Sequence, residues 1–495
     1  MRPPSFPRAV LLGLLLLAPA GTAAAAEPVR WGRLTLDAPA VVDSAAWREA
    51  LDLEGRPVEE APLPPALRRG LRVLARAGYP FAVVHPGDFD LRDGRLVGTL
   101  RVDPGDRATV AGLRLSGAKI TRPRTALRVA GLVEGQTYTG EEDAKARERL
   151  ARSGLFNQVG AVRLAPAESA GAVILEIPVT EPPYTRFQGV LGVSGPDSKL
   201  TGLLDLDLAN IAGTARSARG RWENRGEGLT RFSLHYREPW LPLVPIGVEG
   251  NLDHDVNESL YSFTKWEVTG DVSWRNQWTF RAGRGGSKAV ETREGGDRET
   301  ESFFVAGIAL DRLNSARNPT AGFQLSLESR RGTKTRTPAG DSLEVRLDRT
   351  RWNLAAEAYR RVGARWLGVL RSRFEYLDTP EDSIPRWDLF AVGGATTLRG
   401  YREEQFLTPA SWVVQSEWRW LQGTEGSAVY LFADAAFLAP PGARRLRDTL
   451  NRFLLGTGVG VRQASRLGIL GVEYGVAKGE SPLQGRIHLR IDAVF

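Results

Sequence analysis

The residues able to do chemistry are few and badly placed for an enzyme. The four histidines, His85, His235, His254 and His488, are scattered. None has metal-ligand spacing and none stands near a serine that could act as nucleophile, so each reads as a surface or lumen residue. The chain has no cysteine, which excludes a disulfide framework, thiolate zinc and a cysteine nucleophile. Gly283–Ser287 reads GRGGS, but it sits beside an alternating segment and precedes the charged stretch Lys288–Glu301. It therefore reads as a loop and not as a phosphate cradle opening a helix. Asp205 and Asp207 share one face, with nothing visible to tune them as acid and base. No enzyme, no metal and no cofactor is expected. What remains is ion-pair chemistry: by parity Glu417 shares a face with Gln415 and Arg419, opposite Trp418 and Trp420, and Asp434 lies opposite Val429, Leu431, Ala433 and Ala435.

The elements that position these carboxylates follow from a period of two. Trp266, Val268, Gly270, Val272 and Trp274 alternate with Lys265, Glu267, Thr269, Asp271, Ser273 and Arg275. Leu204, Leu206 and Leu208 alternate with Asp205 and Asp207; Leu343, Val345 and Leu347 alternate with Glu344, Arg346 and Asp348. Val414, Ser416, Trp418 and Trp420 alternate with Gln415, Glu417 and Arg419, and Ile487, Leu489, Ile491, Ala493 and Phe495 alternate with His488, Arg490, Asp492 and Val494. Alternating segments separated by turns, with aromatic residues near their ends, predict a transmembrane antiparallel β-barrel of about 16 strands over 184–495. Lipid satisfies no backbone hydrogen bonds, so a spanning sheet has to close on itself. Glu417 and Asp434 then face the lumen.

Composition agrees. Of 495 residues, 42% are hydrophobic and 25% charged, with a formal net charge of +8. That excludes a bundle of apolar spanning helices and is weak evidence for nucleic acid, which is not an expected partner. The one long apolar run, Ala9–Ala18, follows Arg2 and Arg8 and precedes small residues up to Ala26, the pattern of a secretory signal peptide over 1–26.

Between these parts the pattern mixes helix and strand. Leu67, Leu71 and Leu74 lie at helical spacing before Gly78. Phe81–Val84, Phe89–Leu91 and Leu96–Val102 read as strands, with a hairpin turn at Asp93-Gly94. A second stretch repeats the order: a strand at Thr109–Leu115, helices at Thr125–Val129 and Glu141–Ser153, and a closing hairpin of Val159–Leu164 with Val173–Val179. Two small α+β modules are expected, over 27–105 and 106–183.

The residues also carry a resemblance. LRVLARAGYPFAVV (Leu71–Val84) and LARSGLFNQVGAV (Leu150–Val162) resemble the second helix and following strand of POTRA domains, with the glycine–aromatic step at Gly78-Tyr79 and Gly154-Leu155-Phe156. FAVGGATTLRGY (Phe390–Tyr401) is similar to the inward-folded loop before the twelfth strand of the BamA/TamA outer-membrane surface-antigen superfamily. Its core tetrad is matched by Leu398, Arg399, Gly400 and Tyr401, behind the loop glycines Gly393 and Gly394. VQSEWRW (Val414–Trp420) and LFADAAFL (Leu431–Leu438) resemble the strands that follow, although the family's frequent glycine is Ala436 here. YREPWL (Tyr236–Leu241) and DRLNSARNPTAG (Asp311–Gly322) also resemble family segments.

The resemblance implies that Arg399 enters the lumen and pairs with Glu417 or Asp434. The planar guanidinium suits a bidentate carboxylate in a way lysine does not. Gly485, Ile491 and a terminal Phe495 look like the sorting signal of bacterial outer-membrane barrels, and their strand would form a seam with the first one, Tyr184–Ser194. The implied role is assembly or translocation of proteins. POTRA edges in the periplasm would capture unfolded outer-membrane or secreted substrates by strand addition, in a lipid bilayer, with an accessory protein in the periplasm or inner membrane as a further partner. A two-partner secretion pore is the alternative, disfavoured by a first strand starting almost directly after Glu27; a passive porin is a third reading.

Overall fold

The computed structural model describes residues 28–194, 199–226, 228–242, 244–275, 277–292, 296–315, 318–338, 343–423, 427–440, 450–465 and 468–493. The signal peptide expected over 1–26 and the terminal Phe495 lie outside the described residues. The chain divides into two compact units. One holds the N-terminal module up to Thr109 with Gln136–Glu141 and Ala167–Ala172; the other holds the remaining chain to the C-terminus.

The first unit is a small sheet covered by two helices. Arg95–Asp103 is its centre; Arg30–Trp31 and Thr35–Asp37 pair with it in parallel and Val83–Arg92 antiparallel. The two runs read separately as Phe81–Val84 and Phe89–Leu91 are one strand, broken in register between Pro86 and Phe89. The turn Asp93-Gly94 has both residues at positive φ, 48° and 71°, as a two-residue hairpin requires. Helix Ser44–Leu51 starts at Asp43, whose carboxylate accepts from the amides of Ala45 and Ala46. The proline-rich stretch Pro62–Pro65 is the start of helix Leu63–Arg76, where proline's missing N–H costs nothing. Trp47 fills the core between the helices, and a Cβ on Gly70 would stand 2.7 Å from its ring.

In the second unit, helices Pro123–Ala130 and Glu141–Arg152 cover a sheet whose central strand is Ala172–Thr180. The expected closing hairpin contains two short strands, Gln158–Val159 and Arg163–Pro166, both paired with that central strand. Gly154 at φ 72° ends the second helix and lets Leu155 and Phe156 turn into the core.

This module is tied to the rim of the barrel by buried polar groups. Asn210 donates to the Thr121 hydroxyl at 2.8 Å, which donates to Glu181 at 2.5 Å. Glu181 also accepts from the amides of Lys119, Ile120 and Thr121. Burial works to raise its carboxyl, but the Thr121 hydroxyl and these three amides outweigh it and hold the group below the ordinary glutamate range. Tyr184, expected as the first residue of the first barrel strand, belongs to this junction: its hydroxyl donates to Leu155 O at 2.8 Å, and the strand starts at Thr185.

From Thr185–Ser194 to Arg486–Ala493, sixteen strands pair antiparallel in chain order. Among the described residues, no backbone pairing joins the first of these strands to the last. The pattern of burial is inverted relative to a protein in water. Trp266 and Val268 are 45% and 49% exposed, while the intervening Glu267 is 4% exposed. Apolar side chains on the outside suit lipid, and charges inside suit a lumen. No described helix is long and apolar enough to cross a membrane. Two expectations fail locally. Gly283–Ser287 is not a loop but the middle of strand Trp278–Glu291. Its glycines clear crowded neighbours: a Cβ on Gly283 would stand 2.2 Å from Val268 O, and one on Gly285 2.4 Å from the Phe303 ring. Leu343, expected within an alternating strand, precedes that strand, which begins at Val345.

Candidate functional site: a loop held inside the barrel

Between the eleventh and twelfth strands of the barrel, Trp366–Asp378 and Ala410–Gln422, the chain turns into the lumen. A short hairpin, Phe390–Val392 with Phe406–Thr408, forms the neck of this excursion. Gly393 and Gly394 follow at φ 129° and 92°. The Gly393 amide donates to the Thr397 hydroxyl at 2.8 Å, and the Gly394 amide donates to Leu398 O at 3.1 Å. The tip is thereby folded back on itself before it meets the wall.

At the tip, Arg399 is 1% exposed. Its Nε and Nη2 donate to the two oxygens of Asp434, each at 2.7 Å, and its backbone amide adds a third bond at 3.0 Å. Nη1 donates to Glu417 at 3.0 Å and to Glu473 at 2.9 Å. The guanidinium carbon lies 3.8 Å from the centre of the Phe432 ring. One cation thus meets three carboxylates on three strands. Glu417 receives further cations, Arg371 at 3.1 Å and Arg419 at 2.7 Å, and Tyr430 donates to Glu473 at 2.6 Å. Charges this far from water persist only when paired, and each one in this set has an oppositely charged partner.

Around the ion cluster the loop makes an apolar seal. Leu398 and Tyr401 pack with Val392, Val413, Ala436, Leu438 and Ala477. Gly400, at φ 92°, lies so close to the wall that a Cβ there would be 2.9 Å from the Val476 carbonyl carbon.

The base of the excursion is held by a second set of charges. Lys334 is 2% exposed and lies within 2.9 Å of three carboxylates: Glu299, Glu381 and Asp388. Arg349 joins Asp388, at 2.7 Å, to Glu301. The Trp387 indole donates to Glu299 at 3.1 Å and packs 5.0 Å from Tyr261. After the tip, Glu404 accepts from Arg231 at 2.7 Å.

The structure brings Leu398, Arg399, Gly400, Tyr401, Glu417 and Asp434 together, with Gly393 and Gly394 shaping the loop. Arg399 takes both expected carboxylates, not one. Glu473 and Phe432 were missed. Glu473 is the sole charged residue in strand Gly468–Ala477, and Phe432 has the parity of Asp434, so both were open to the same argument. His488 is also missed as a site residue: its Nε2 accepts from the Gly400 amide at 3.2 Å. Gly485 packs against Tyr474, where a Cβ would meet the ring at 2.4 Å, and Ile491 pairs with Leu470 in the last ladder.

Comparison with known proteins follows the same lines. A family profile described as the Omp85 superfamily domain matches residues 210–495. BamA from Haemophilus ducreyi lacking POTRA domains 1–3 is similar in structure with a TM-score of 0.53 at 17% identity, covering 94% of this chain and 98% of that one. CdiB from Escherichia coli gives 0.54 at 13% identity, covering 97% and 92%. CdiB from Acinetobacter baumannii gives 0.52 at 14%, covering 94% and 89%.

Proposed function

The chain belongs to the Omp85 superfamily, and from that premise we propose that it captures unfolded proteins on its N-terminal modules, in the periplasm, and inserts them through the seam of its barrel. As a member of that superfamily it is a bacterial outer-membrane β-barrel concerned with protein insertion or translocation. The finer reading rests on one observation. The sixteen-stranded sheet runs from Thr185–Ser194 to Arg486–Ala493 with no backbone pairing between these two strands among the described residues. Edges of this kind offer unpaired N–H and C=O groups to an incoming strand. The small sheet of the second module has an edge strand as well, Arg163–Pro166, which among the described residues pairs with Ala172–Thr180.

Within this reading the Arg399 cluster is a structural lock. It places the inward loop against the wall beside the seam and stabilises the strands that carry Glu417, Asp434 and Glu473. Nothing in it calls for a cofactor.

The chain has no cysteine, so a disulfide between the first and last barrel strands can be introduced without background. Locking the seam should stop assembly of substrate barrels, and normal assembly with a locked seam would overturn the lateral mechanism. Export of one protein through the lumen is the competing reading. Depletion followed by outer-membrane proteomics separates the two: loss of many barrels supports insertion, whereas loss of a single secreted protein supports export.

A further inference from the structure

The tip of the inward loop touches the last strand of the barrel as well as the carboxylates. Arg486 and His488 lie two residues apart on strand Arg486–Ala493, and so on the same face. Arg486 donates through Nη1 to Gly400 O at 2.5 Å, and His488 accepts through Nε2 from the Gly400 amide at 3.2 Å. Both polar groups of one loop residue are thus taken by side chains of the last strand. Arg486 is aimed by Glu480, which accepts from it at 2.7 and 3.0 Å.

The neighbouring strands are cut away to allow this approach. A Cβ on Gly456 would stand 1.9 Å from Arg399 O, and one on Gly475 would stand 2.7 Å from the Gly400 amide nitrogen. Two strands therefore form a glycine trough in which the loop backbone lies directly on the sheet, and the next strand, the last one, holds it through Arg486 and His488. Among the described residues, the last strand has a ladder on one edge, to Gly468–Ala477. Its contact with Gly400 is a second attachment, made from the lumen.

We propose that Arg486 and His488 are positioning residues that latch the last strand to the inward loop, so that displacement of that strand and release of the loop are one event. This rests on the seam-delivery reading for its purpose, but not for its test. A ligand or substrate strand that moves the last strand has to break both bonds to Gly400. Conversely, a loop held by Arg399 biases the last strand toward its resting register, since coupling between two sites is reciprocal.

The probe is a single cysteine at Ala436, a buried position in the apolar seal beneath the loop. Its modification by a water-soluble maleimide reports loop release in the intact protein in bilayers. Arg486→Ala with His488→Ala should raise the labelling rate about thirtyfold, the effect of losing two hydrogen bonds of ordinary net strength. His488→Gln, which keeps an acceptor, should label more slowly than His488→Ala. In an Arg399→Ala background, where the loop is already free, the double change should add nothing. Labelling at the wild-type rate, or the same fold increase with and without Arg399, would overturn the latch. If the double variant does not fold, the His488→Ala and His488→Gln pair decides alone. Faster labelling with unaltered substrate assembly would leave the latch standing and count against seam delivery, so the two readings fail separately.

Discussion

Arg399 and Asp434 are joined by three hydrogen bonds, two from the guanidinium and one from the backbone amide of the same residue. The side-chain fork fixes the direction of the guanidinium, and the amide fixes where the loop backbone crosses the strand. Asp434 is fully buried, so neither partner can exchange the other for water.

Breaking this pair from one side leaves a buried charge. Asp434→Ala should lower barrel stability by about 3–5 kcal/mol, the usual cost of orphaning one member of a buried pair. Arg399→Lys should also be less stable than the wild type, because an ammonium cannot serve both Asp434 oxygens and two glutamates at once. The temperature at which the folded band is lost in heat-modifiability gels measures both. A lysine variant as stable as the wild type would show that the fork geometry is irrelevant.

Glu473 accepts from Arg399 and Tyr430. Tyr430→Phe removes one neutral donor and should cost about 1 kcal/mol. Glu473→Gln removes a charge from the cluster and should cost more. The reverse order in thermal unfolding would remove Glu473 from the lock.

Lys334 is the counter-charge for Glu299, Glu381 and Asp388. Lys334→Met should release the turn Arg386–Asp388, since three carboxylates without their cation repel one another. Arg386 is exposed, so trypsin cleavage after it should speed up severalfold, and an unchanged cleavage rate would contradict the prediction.

Glu181 is held below the ordinary glutamate range by its hydrogen bonds to Thr121, Lys119 and Ile120. A depressed carboxyl contributes stability that is fully present above its unfolded value of about pH 4.3 and fades as the pH falls through the folded value. Acidification below that point should loosen the second module from the barrel rim. Glu181→Gln should be looser at neutral pH and lack this portion of the acid response. Limited proteolysis of the junction at a series of pH values reads the difference.

Much of this arrangement is legible in the chain. Period-two alternation around Trp266–Trp274 gives the face of each side chain, and parity alone sends Glu417 and Asp434 inward. The Leu398–Tyr401 tetrad identifies the loop that meets them. Parity turns Glu473 inward too, but it does not say which strands lie beneath the tip, so the partners of Glu473 and His488 stay hidden until the ladder places them. The Lys334 cage is hidden for the same reason, since its members come from two strands and the excursion between two others. Gly283–Ser287 misleads because glycine serves turns and crowded sheets alike, and the crowding is supplied by Thr269 and Phe303 on neighbouring strands.

The carboxylates that receive Arg399, and the histidine that receives Gly400, stand on four separate strands. In a sheet, sliding one strand by a single residue moves every side chain to the opposite face. Such a slip would send Glu417, Asp434, Glu473 or His488 toward lipid and leave the guanidinium, or the Gly400 amide, without a partner. The loop can seat only on a wall whose hairpins have all closed in the correct frame. The buried arginine therefore doubles as a checksum on the barrel's own construction, satisfied once and only when the C-terminal strands are counted correctly.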